Sequence, residues 1–233
     1  MSEPVPGSKP PVSVAVFDFD HTLTARDSFG LFCRWLLRRG AWRYGLAMLT
    51  LPVTGPMMLW RPTRRPSVQF IVWLATLGVR HERLPELISA HLVELREPLL
   101  EQGLARLAQH RDDGHRVVIA TGSLEHLCRA ILAESGLGDV EVVGSSLRAQ
   151  FGGLVADRHC HGEHKISMLT ERGYPPPWDY VYTDSSADLP LLRQARAAYL
   201  IDPRPSCRAR VQRALGRDLD VLTWRSLRST RDS

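Results

Sequence analysis

The stretch VSVAVFDFDHT, Val12 to Thr22, begins as a short β-branched apolar run and ends in two aspartates and a threonine. Such a run is typical of a strand buried within a parallel sheet. Residues that directly follow such a strand lie at the carboxyl edge of the sheet, where open α/β proteins bind their ligands. The stretch therefore predicts both a central strand and the location of a site.

Four further apolar runs repeat this pattern in the second half of the chain, each followed by a helical or turn segment. They are RVVIATGS from Arg116, VEVVGS from Val140, DYVYTDS from Asp179 and AAYLID from Ala197. This alternation predicts an α/β fold with a parallel sheet. Residues 27–113 show helical periodicity without clear strands, which predicts a helical insertion after the first strand.

These patterns divide the chain into a core, an insertion and two ends. We expect a catalytic core of residues 12–26 and 114–225, a helical cap of residues 27–113, a disordered lead at 1–11 and a flexible tail at 226–233. The length of 233 residues, 44% of them apolar, is enough for one main domain with a sizeable insertion.

Charge and cysteine usage narrow the class of protein. The net charge of +5 permits contact with phosphates or anionic membranes. We expect no nucleic-acid partner, because the arginines flank an apolar segment instead of alternating with aromatic residues along a groove. The four cysteines form no CxxC pair and the polar, proline-rich start is not a signal peptide, which predicts reduced thiols and a cytoplasmic location.

Polar residues with chemical potential follow three of the predicted strands. Asp18 and Asp20 follow the first, Thr121 and Gly122 begin the loop after the second, and Asp184 with Asp188 follows a later one. The chain has 28 arginines but only two lysines, Lys9 and Lys165. An ammonium group kept at Lys165 indicates a site that needs a compact point charge and not a planar guanidinium.

This set of groups fits phosphoryl transfer from a phosphate monoester. A carboxylate nucleophile splits the displacement into two steps through an aspartyl-phosphate, and a second acid protonates the leaving oxygen. Mg²⁺, which prefers oxygen ligands, allows an anionic nucleophile to approach an anionic phosphate. Backbone N–H groups beside Thr121 favour an anion, and a lysine neutralises the remaining charge.

The ordered motifs resemble the haloacid dehalogenase superfamily, in the branch (subfamily IB) whose helical cap follows the first motif. The resemblance implies a Rossmann-like core, with Asp18 as nucleophile, Asp20 as acid/base, and Thr121, Gly122 and Lys165 binding phosphate. It also implies catalytic roles for Thr121 and Lys165. The implied Mg²⁺ site comprises the four carboxylates of Asp18, Asp20, Asp184 and Asp188. In it, Asp184 is a direct ligand and Asp188 a supporting one. His21 stands where many members have glycine or serine, and Thr183 replaces the usual glycine.

Several of these residues also have simpler explanations. Thr121 and Asp188 could each be the N-cap of a following helix, alongside or instead of a catalytic role. The cluster His159, Cys160, His161 and His164 could hold zinc, although it lacks a second ligand pair with finger spacing.

The predicted cap contains an uncharged apolar segment, Tyr44 to Trp60, with arginines on both sides. Its prolines and Gly55 predict two short arms that meet in a bend. We expect a re-entrant or interfacial hairpin on the cytoplasmic face of the bacterial inner membrane, with Trp42, Tyr44 and Trp60 at the interface and arginines on anionic headgroups. The alternative is a hairpin buried within the cap.

The insertion and several local runs are most similar to the bacterial phosphatidylglycerophosphatase C group. These runs include DSFGLFCRWLLRRG, TLPVTGPMMLW, FGGLVADRHCHGEHK and TDSSADLPLL. The similarity implies hydrolysis of phosphatidylglycerophosphate to phosphatidylglycerol. Two alternatives stay open: a phosphoserine phosphatase-like enzyme acting on a small phosphomonoester, with Asp27 in place of a glutamate, and a membrane-binding adaptor that retains only the fold.

Overall fold

A computed structural model describes residues 12–95, 98–216 and 219–224, so the predicted lead at 1–11 and tail at 226–233 lie outside the described residues. Six strands form one parallel sheet. They are β1 (Val14–Phe17), β2 (Arg116–Leu124), β3 (Glu141–Ser145), β6 (Trp178–Thr183), β7 (Ala195–Ile201) and β8 (Asp220–Leu222), in the order β3-β2-β1-β6-β7-β8. The predicted α/β fold with a parallel sheet is confirmed.

The helices fall into two groups along the chain. The first group, between β1 and the return to the core, comprises α1 (Ser28–Arg38), α2 (Ala41–Leu59), α3 (Arg61–Ala75) and α4 (Leu84–Glu94). The second group comprises α5 (Glu101–Asp112), α6 (Glu125–Glu134), α7 (Glu163–Glu171), α8 (Leu189–Arg193) and α9 (Pro205–Leu215).

Strand β1 lies in the middle of the sheet, and its alternating side chains enter two separate cores. Phe17 is fully buried and stacks on Tyr182, with ring centroids 4.4 Å apart, in a core that includes α5 and α6. Val16 points into a second core with side chains from α7, α8 and α9. Both faces of the sheet are covered, which explains why the strands read as nearly continuous apolar runs.

The insertion leaves and re-enters the core at one place. Thr24 forms an antiparallel bridge with Leu99, and the Leu100 N–H donates to the Leu23 carbonyl at 2.8 Å. Helix α5, which the sequence analysis placed within the insertion, packs against the sheet through the buried Leu107. The described cap therefore comprises the helices from α1 to α4, and α5 belongs to the core.

The apolar segment from residue 44 to 60 differs from its prediction. It is not two short arms, because α2 runs unbroken through Pro52 and Pro56 to Leu59. The bend falls instead at Trp60, where Pro62 supplies the fixed φ that suits the first turn of α3. Because α3 packs along α2, this contact offsets the hydrogen bonds that the prolines remove. Within the described ranges, no helix is both long and apolar enough to cross a membrane.

A small hairpin joins the cap to the core and was not predicted from the sequence. Strands β4 (Leu147–Gln150) and β5 (Gly153–Ala156) pair in antiparallel fashion around a turn with positive φ at Phe151 and Gly152. The buried Thr76 hydroxyl at the end of α3 accepts the Leu154 N–H at 2.8 Å. The hairpin thus fixes α3 against the core.

Candidate active site

The carboxyl ends of β1, β2 and β6 meet at one edge of the sheet, because these strands are neighbours. Asp18 follows β1, Thr121 lies near the end of β2 and Asp184 follows β6. The loops after β1 and β6 are tied together, since the Asp184 N–H donates to the Thr22 hydroxyl at 3.1 Å. The structure therefore brings the predicted strand-end residues to a common edge.

Lys165 lies between two carboxylates at this edge. Its Nζ is 3.0 Å from Asp18 Oδ1 and 2.8 Å from Asp188 Oδ2, and the lysine is only 2% exposed. Asp18 Oδ1 also accepts the Phe19 N–H at 2.8 Å, and Thr183 donates to Asp188 Oδ2 at 2.8 Å. The side chain at Thr183, where the family resemblance implied a glycine, is therefore used to position Asp188.

Burial and charge pairing act in opposite directions on the pKa values of Lys165, Asp188 and Asp18. Burial opposes the charge of Lys165, but Asp18 and Asp188 outweigh it and raise the pKa of the lysine. Burial likewise opposes the charge of Asp188, and the Lys165 ammonium outweighs it and lowers the pKa of that carboxyl. Burial raises the pKa of Asp18, and Lys165 opposes the rise. The charges of Asp188 and Asp184 add to the rise at Asp18, so Lys165 is the group that favours the ionised form of this carboxyl.

Asp20 is positioned by a residue that the sequence analysis did not single out. Ser28, at the start of α1, donates to Asp20 Oδ1 from its backbone N–H at 2.9 Å and from its hydroxyl at 2.7 Å. The Ser28 and Ser123 hydroxyls are 2.9 Å apart, which links Asp20 to the loop of the second motif. Burial raises the pKa of Asp20 to about 6, so this carboxyl can carry a proton near neutral pH.

The last residues of β2, where its pairing with β3 shifts register, present their polar groups in an ordered arrangement. The buried Thr121 hydroxyl oxygen accepts the Ser123 N–H at 3.0 Å, which leaves the hydroxyl hydrogen to donate elsewhere. A Cβ at Gly122 would meet only the Cys160 carbonyl, at 3.7 Å, so the space beside this glycine is open. Helix α6 begins at Glu125 with Leu124 as its N-cap, so Thr121 is not a helix cap.

Asp188 is not a capping side chain either. It occupies the N-cap position of α8 but makes no capping hydrogen bond, because its Oδ2 is used by Lys165 and Thr183. Its other oxygen, Oδ1, is buried without a hydrogen-bond partner in the part of the chain that the structure describes. A buried carboxylate oxygen without a partner is costly unless a cation or a water satisfies it.

The donor set fits Mg²⁺. Four carboxylates lie at this edge beside the ammonium of Lys165, which contacts two of them directly. The four are those of Asp18, Asp20, Asp184 and Asp188. Burial raises the pKa of Asp184, and Asp188 adds to this rise, as expected where anions are close together. Within the described residues, no three histidine, cysteine or acidic side chains form a preformed metal-binding group. Mg²⁺ does not need one, because it retains several waters and uses one or two carboxylates plus substrate phosphate.

Two of the histidines near Lys165 form a stacked pair, and the described residues contain no group of three side chains that could hold zinc. The rings of His159 and His161 lie 5.2 Å apart and nearly parallel, and His159 Nδ1 is 3.2 Å from the Ser145 hydroxyl. Burial lowers the pKa of His159 to about 4, and the positive charges of His161 and then Arg65 add to the effect. The charge of Arg65, on α3, therefore reaches His159. His21 adopts a positive φ of 59° and its Nδ1 is 3.2 Å from the Ala25 carbonyl oxygen.

Comparisons with known proteins agree with this geometry. Residues 15–193 match the family model of haloacid dehalogenase-like hydrolases. A Bordetella pertussis Tohama I protein of unknown function aligns with a TM-score of 0.70 and 21% identity over 91% of this chain and 98% of its own. A phospho-aspartyl intermediate analogue of phosphoserine phosphatase aligns with a TM-score of 0.58 and 15% identity, over 92% and 94% of the two chains.

A third solved structure, cytosolic 5′-nucleotidase IIIB bound to cytidine, aligns with a TM-score of 0.57 and 14% identity over 91% of this chain and 79% of its own. At these identities the structural similarities concern the fold. The family match covers most of the chain, and it confirms the predicted superfamily and the prediction that the chain is an enzyme. The chain belongs to the haloacid dehalogenase-like hydrolase family.

Proposed function

We propose that this hydrolase removes phosphate from an anionic lipid phosphomonoester at the cytoplasmic surface of the bacterial inner membrane. The preferred substrate is phosphatidylglycerophosphate and the product is phosphatidylglycerol. The observation that carries the lipid assignment is an exposed apolar face on cap helix α2. The chemistry itself rests on the residues at the carboxyl edge of the sheet.

In the first chemical step, a carboxylate oxygen of Asp18 forms a bond to phosphorus while the bond from phosphorus to the alcohol oxygen breaks. Asp20 gives its proton to that oxygen, and the alcohol leaves. In the second step Asp20 accepts a proton from water, the water oxygen attacks phosphorus, and the bond to Asp18 breaks. Inorganic phosphate is released and both carboxyl groups return to their starting forms.

The surrounding residues hold the charge of the phosphoryl group. Lys165, 3.0 Å from Asp18, neutralises one negative charge at the nucleophile, and the Thr121 hydroxyl donates to a phosphate oxygen. Asp18 and Asp184 would hold Mg²⁺, with Asp20 and Asp188 completing the acidic surroundings, and the ion would supply charge neutralisation for the attack of one anion on another.

The outward face of α2 supports a lipid surface as the place of action. Trp42, Leu49 and Val53 recur at helical spacing on one side of α2, with exposures of 58%, 76% and 64%. Trp60, directly after the helix, is 67% exposed and extends this row. A contiguous row of exposed large apolar side chains is typical of a surface that contacts a membrane or a partner.

Charge in the cap supports an anionic membrane as the partner. Between residues 28 and 81 the chain has eight arginines and no aspartate or glutamate. An arginine-rich segment beside an apolar helix is attracted to anionic headgroups, at about 1 kcal/mol for each cation near the surface.

The alternative of a phosphoserine phosphatase-like enzyme needs an acid that recognises the amino group of the substrate. Asp27 is the candidate, and its Oδ1 accepts the Gly30 N–H at 2.9 Å as the N-cap of α1. A row of exposed apolar side chains has no role in the hydrolysis of a small polar ester. A lipid substrate therefore explains the exposed apolar row on α2, which a small soluble substrate leaves unexplained.

The experiment compares activity on vesicles containing phosphatidylglycerophosphate with activity on a small phosphomonoester in solution. The double variant Leu49→Glu, Val53→Glu should lose roughly tenfold or more on vesicles, because two apolar anchors become charged. Its activity on the small ester should stay near that of the wild type. Val93→Glu is the matched control, since Val93 is 82% exposed on cap helix α4 and does not belong to the row on α2.

Two further measurements separate an enzyme from an adaptor. Asp18→Asn should end turnover of every ester without loss of the fold, because an amide cannot attack phosphorus. Excess chelator should end the activity of the wild type, and added Mg²⁺ should restore it. If the wild-type protein does not hydrolyse lipid phosphate but hydrolyses phosphoserine efficiently, the proposal is wrong and the phosphoserine phosphatase-like alternative holds.

A further inference from the structure

The cap contains a cavity of about 550 Å³ between α1, α2 and α3. This volume lies within the range of sites that bind small molecules. Its walls are mainly aliphatic, aromatic and methionine side chains, among them Leu37, Tyr44, Met48, Leu51 and Ile71. Among the lining residues that the structure describes, Asp27 is the one acid.

One end of this cap cavity lies beside the catalytic edge. Asp27 and Gly30 both line the cavity, and Ser28 between them donates two hydrogen bonds to Asp20 Oδ1. In the proposed mechanism Asp20 protonates the leaving oxygen of the ester. The group attached to that oxygen therefore departs on the side of the site where the cavity begins.

The polar residues of the cavity suit an amphiphile. Arg34 and Arg38 are four residues apart on α1, so they share one face of the helix, and both line the cavity. Since the carboxylate of Asp27 caps α1, the polar surroundings are mainly cationic. An occupant with a hydrocarbon body and an anionic or polar linker satisfies both the walls and the arginines.

Much of the apolar surface that lines the cavity is exposed to solvent. Tyr44, Met48 and Leu51 are exposed by 44%, 44% and 47% although they face the cavity. They lie on the side of α2 opposite to Leu49 and Val53, as their helical spacing requires. Helix α2 thus lies between the cavity and the proposed membrane face.

We infer that the cap cavity binds one hydrocarbon chain of an amphiphilic phosphomonoester, on its leaving-alcohol side, with Arg34 and Arg38 beside its polar linker. This inference rests on the proposed function only in taking the ester bond to be hydrolysed at Asp18. It differs from the simplest form of membrane docking, in which both chains of a lipid stay in the bilayer and only the headgroup reaches the enzyme.

The test uses a series of monoalkyl phosphates, from butyl to dodecyl, each below its micelle concentration and without any membrane. The kcat/KM of the full chain should rise with length by up to roughly fourfold per buried methylene, then level off when the cavity is full. Met48→Trp should lower the ratio of dodecyl to butyl activity at least tenfold by filling the cavity. Leu51→Trp is a second cavity variant, and Val93→Trp, on α4, is the matched control that should keep the ratio.

A binding measurement makes the result independent of turnover. The full-length Asp18→Asn protein is titrated with the same alkyl phosphates by calorimetry. Its affinity should rise with the length of the alkyl group. Chain-independent binding and turnover would overturn the cavity inference and leave the lipid phosphatase proposal standing. Length-dependent binding with no wild-type turnover of any ester would support the cavity and overturn the proposed function. An equal ratio of dodecyl to butyl activity in Met48→Trp, Leu51→Trp and Val93→Trp would show that the alkyl group binds outside the cavity. This result would also overturn the inference.

Discussion

At the scale of single residues, the choice of lysine at position 165 has a geometric cause. Its Nζ contacts Asp18 and Asp188 at 3.0 and 2.8 Å in a site where the side chain is 3% exposed. A guanidinium carries the same charge but is larger and planar, with its charge spread over three nitrogens. A buried position between two carboxylates therefore favours the smaller, compact cation.

We accordingly expect Lys165→Arg to lose roughly 10²-fold or more in kcat, although the formal charge is unchanged. Steady-state kinetics on a small phosphomonoester gives the loss, and the melting temperature shows whether the fold is retained. An arginine enzyme within about threefold of the wild type would mean that any cation suffices at this position.

The contact between Ser28 and Asp20 could not be predicted from the sequence motif that contains Asp20. Asp20 could be predicted from the sequence because it stands two residues after Asp18 at a strand end. Ser28 is eight residues further on, and nothing in its neighbours distinguishes it from any other serine at a helix start. Only the folded loop shows that its N–H and hydroxyl both donate to Asp20 Oδ1.

In the proposed mechanism Ser28 positions Asp20 as the proton donor, and this role can be measured. Ser28→Ala should lose roughly tenfold in kcat on an alkyl phosphate, whose leaving oxygen needs the proton. It should lose little on an aryl phosphate with a good leaving group, because such a group departs without protonation. Ser28→Thr should restore most of the activity, since it keeps the hydroxyl. Equal losses on both esters would indicate general damage to the site.

At the scale of elements, local sequence and tertiary packing disagree most in α2. Two internal prolines predict an interruption, yet the helix continues to Leu59 because α3 packs along it. Conversely, the β4–β5 hairpin gave no clear strand pattern, because its stability comes from contact with α3 and not from its own four-residue strands. The strands of the parallel sheet were predictable because a strand that is buried on both faces has a nearly continuous run of apolar residues.

The contact between this hairpin and α3 depends on a glycine. A Cβ at Gly153 would lie 2.8 Å from the Trp73 backbone oxygen and 2.8 Å from its Cδ1. Gly153→Ala should therefore lower the free energy of unfolding by about 1 to 3 kcal/mol. Gly45→Ala is the control, since its Cβ would meet nothing within 4 Å on exposed α2, and alanine should be neutral or slightly stabilising there. Denaturant unfolding measures both, and equal stabilities would contradict the role of Gly153.

At the scale of the whole molecule, charge is distributed unevenly. Residues 28–81 contain eight arginines and no acids, so the remainder of the chain has 22 lysines and arginines against 25 aspartates and glutamates. This part of the cap is thus strongly basic, while the remainder of the chain is slightly acidic. A protein with this asymmetry turns its cap toward an anionic surface, which is the orientation that the proposed membrane face on α2 requires.

This electrostatic orientation predicts a specific salt dependence of membrane binding. Raising the salt concentration from 0.1 to 1 M shortens the screening length from about 10 Å to about 3 Å, so the cap arginines lose most of their attraction to headgroups. Binding to anionic vesicles, measured by co-sedimentation, should therefore fall at least tenfold over this range. Binding to zwitterionic vesicles should be weak at both salt concentrations, because the apolar row on α2 then acts alone. Equal binding to both kinds of vesicle, or no effect of salt, would show that the arginines do not direct the cap to the membrane.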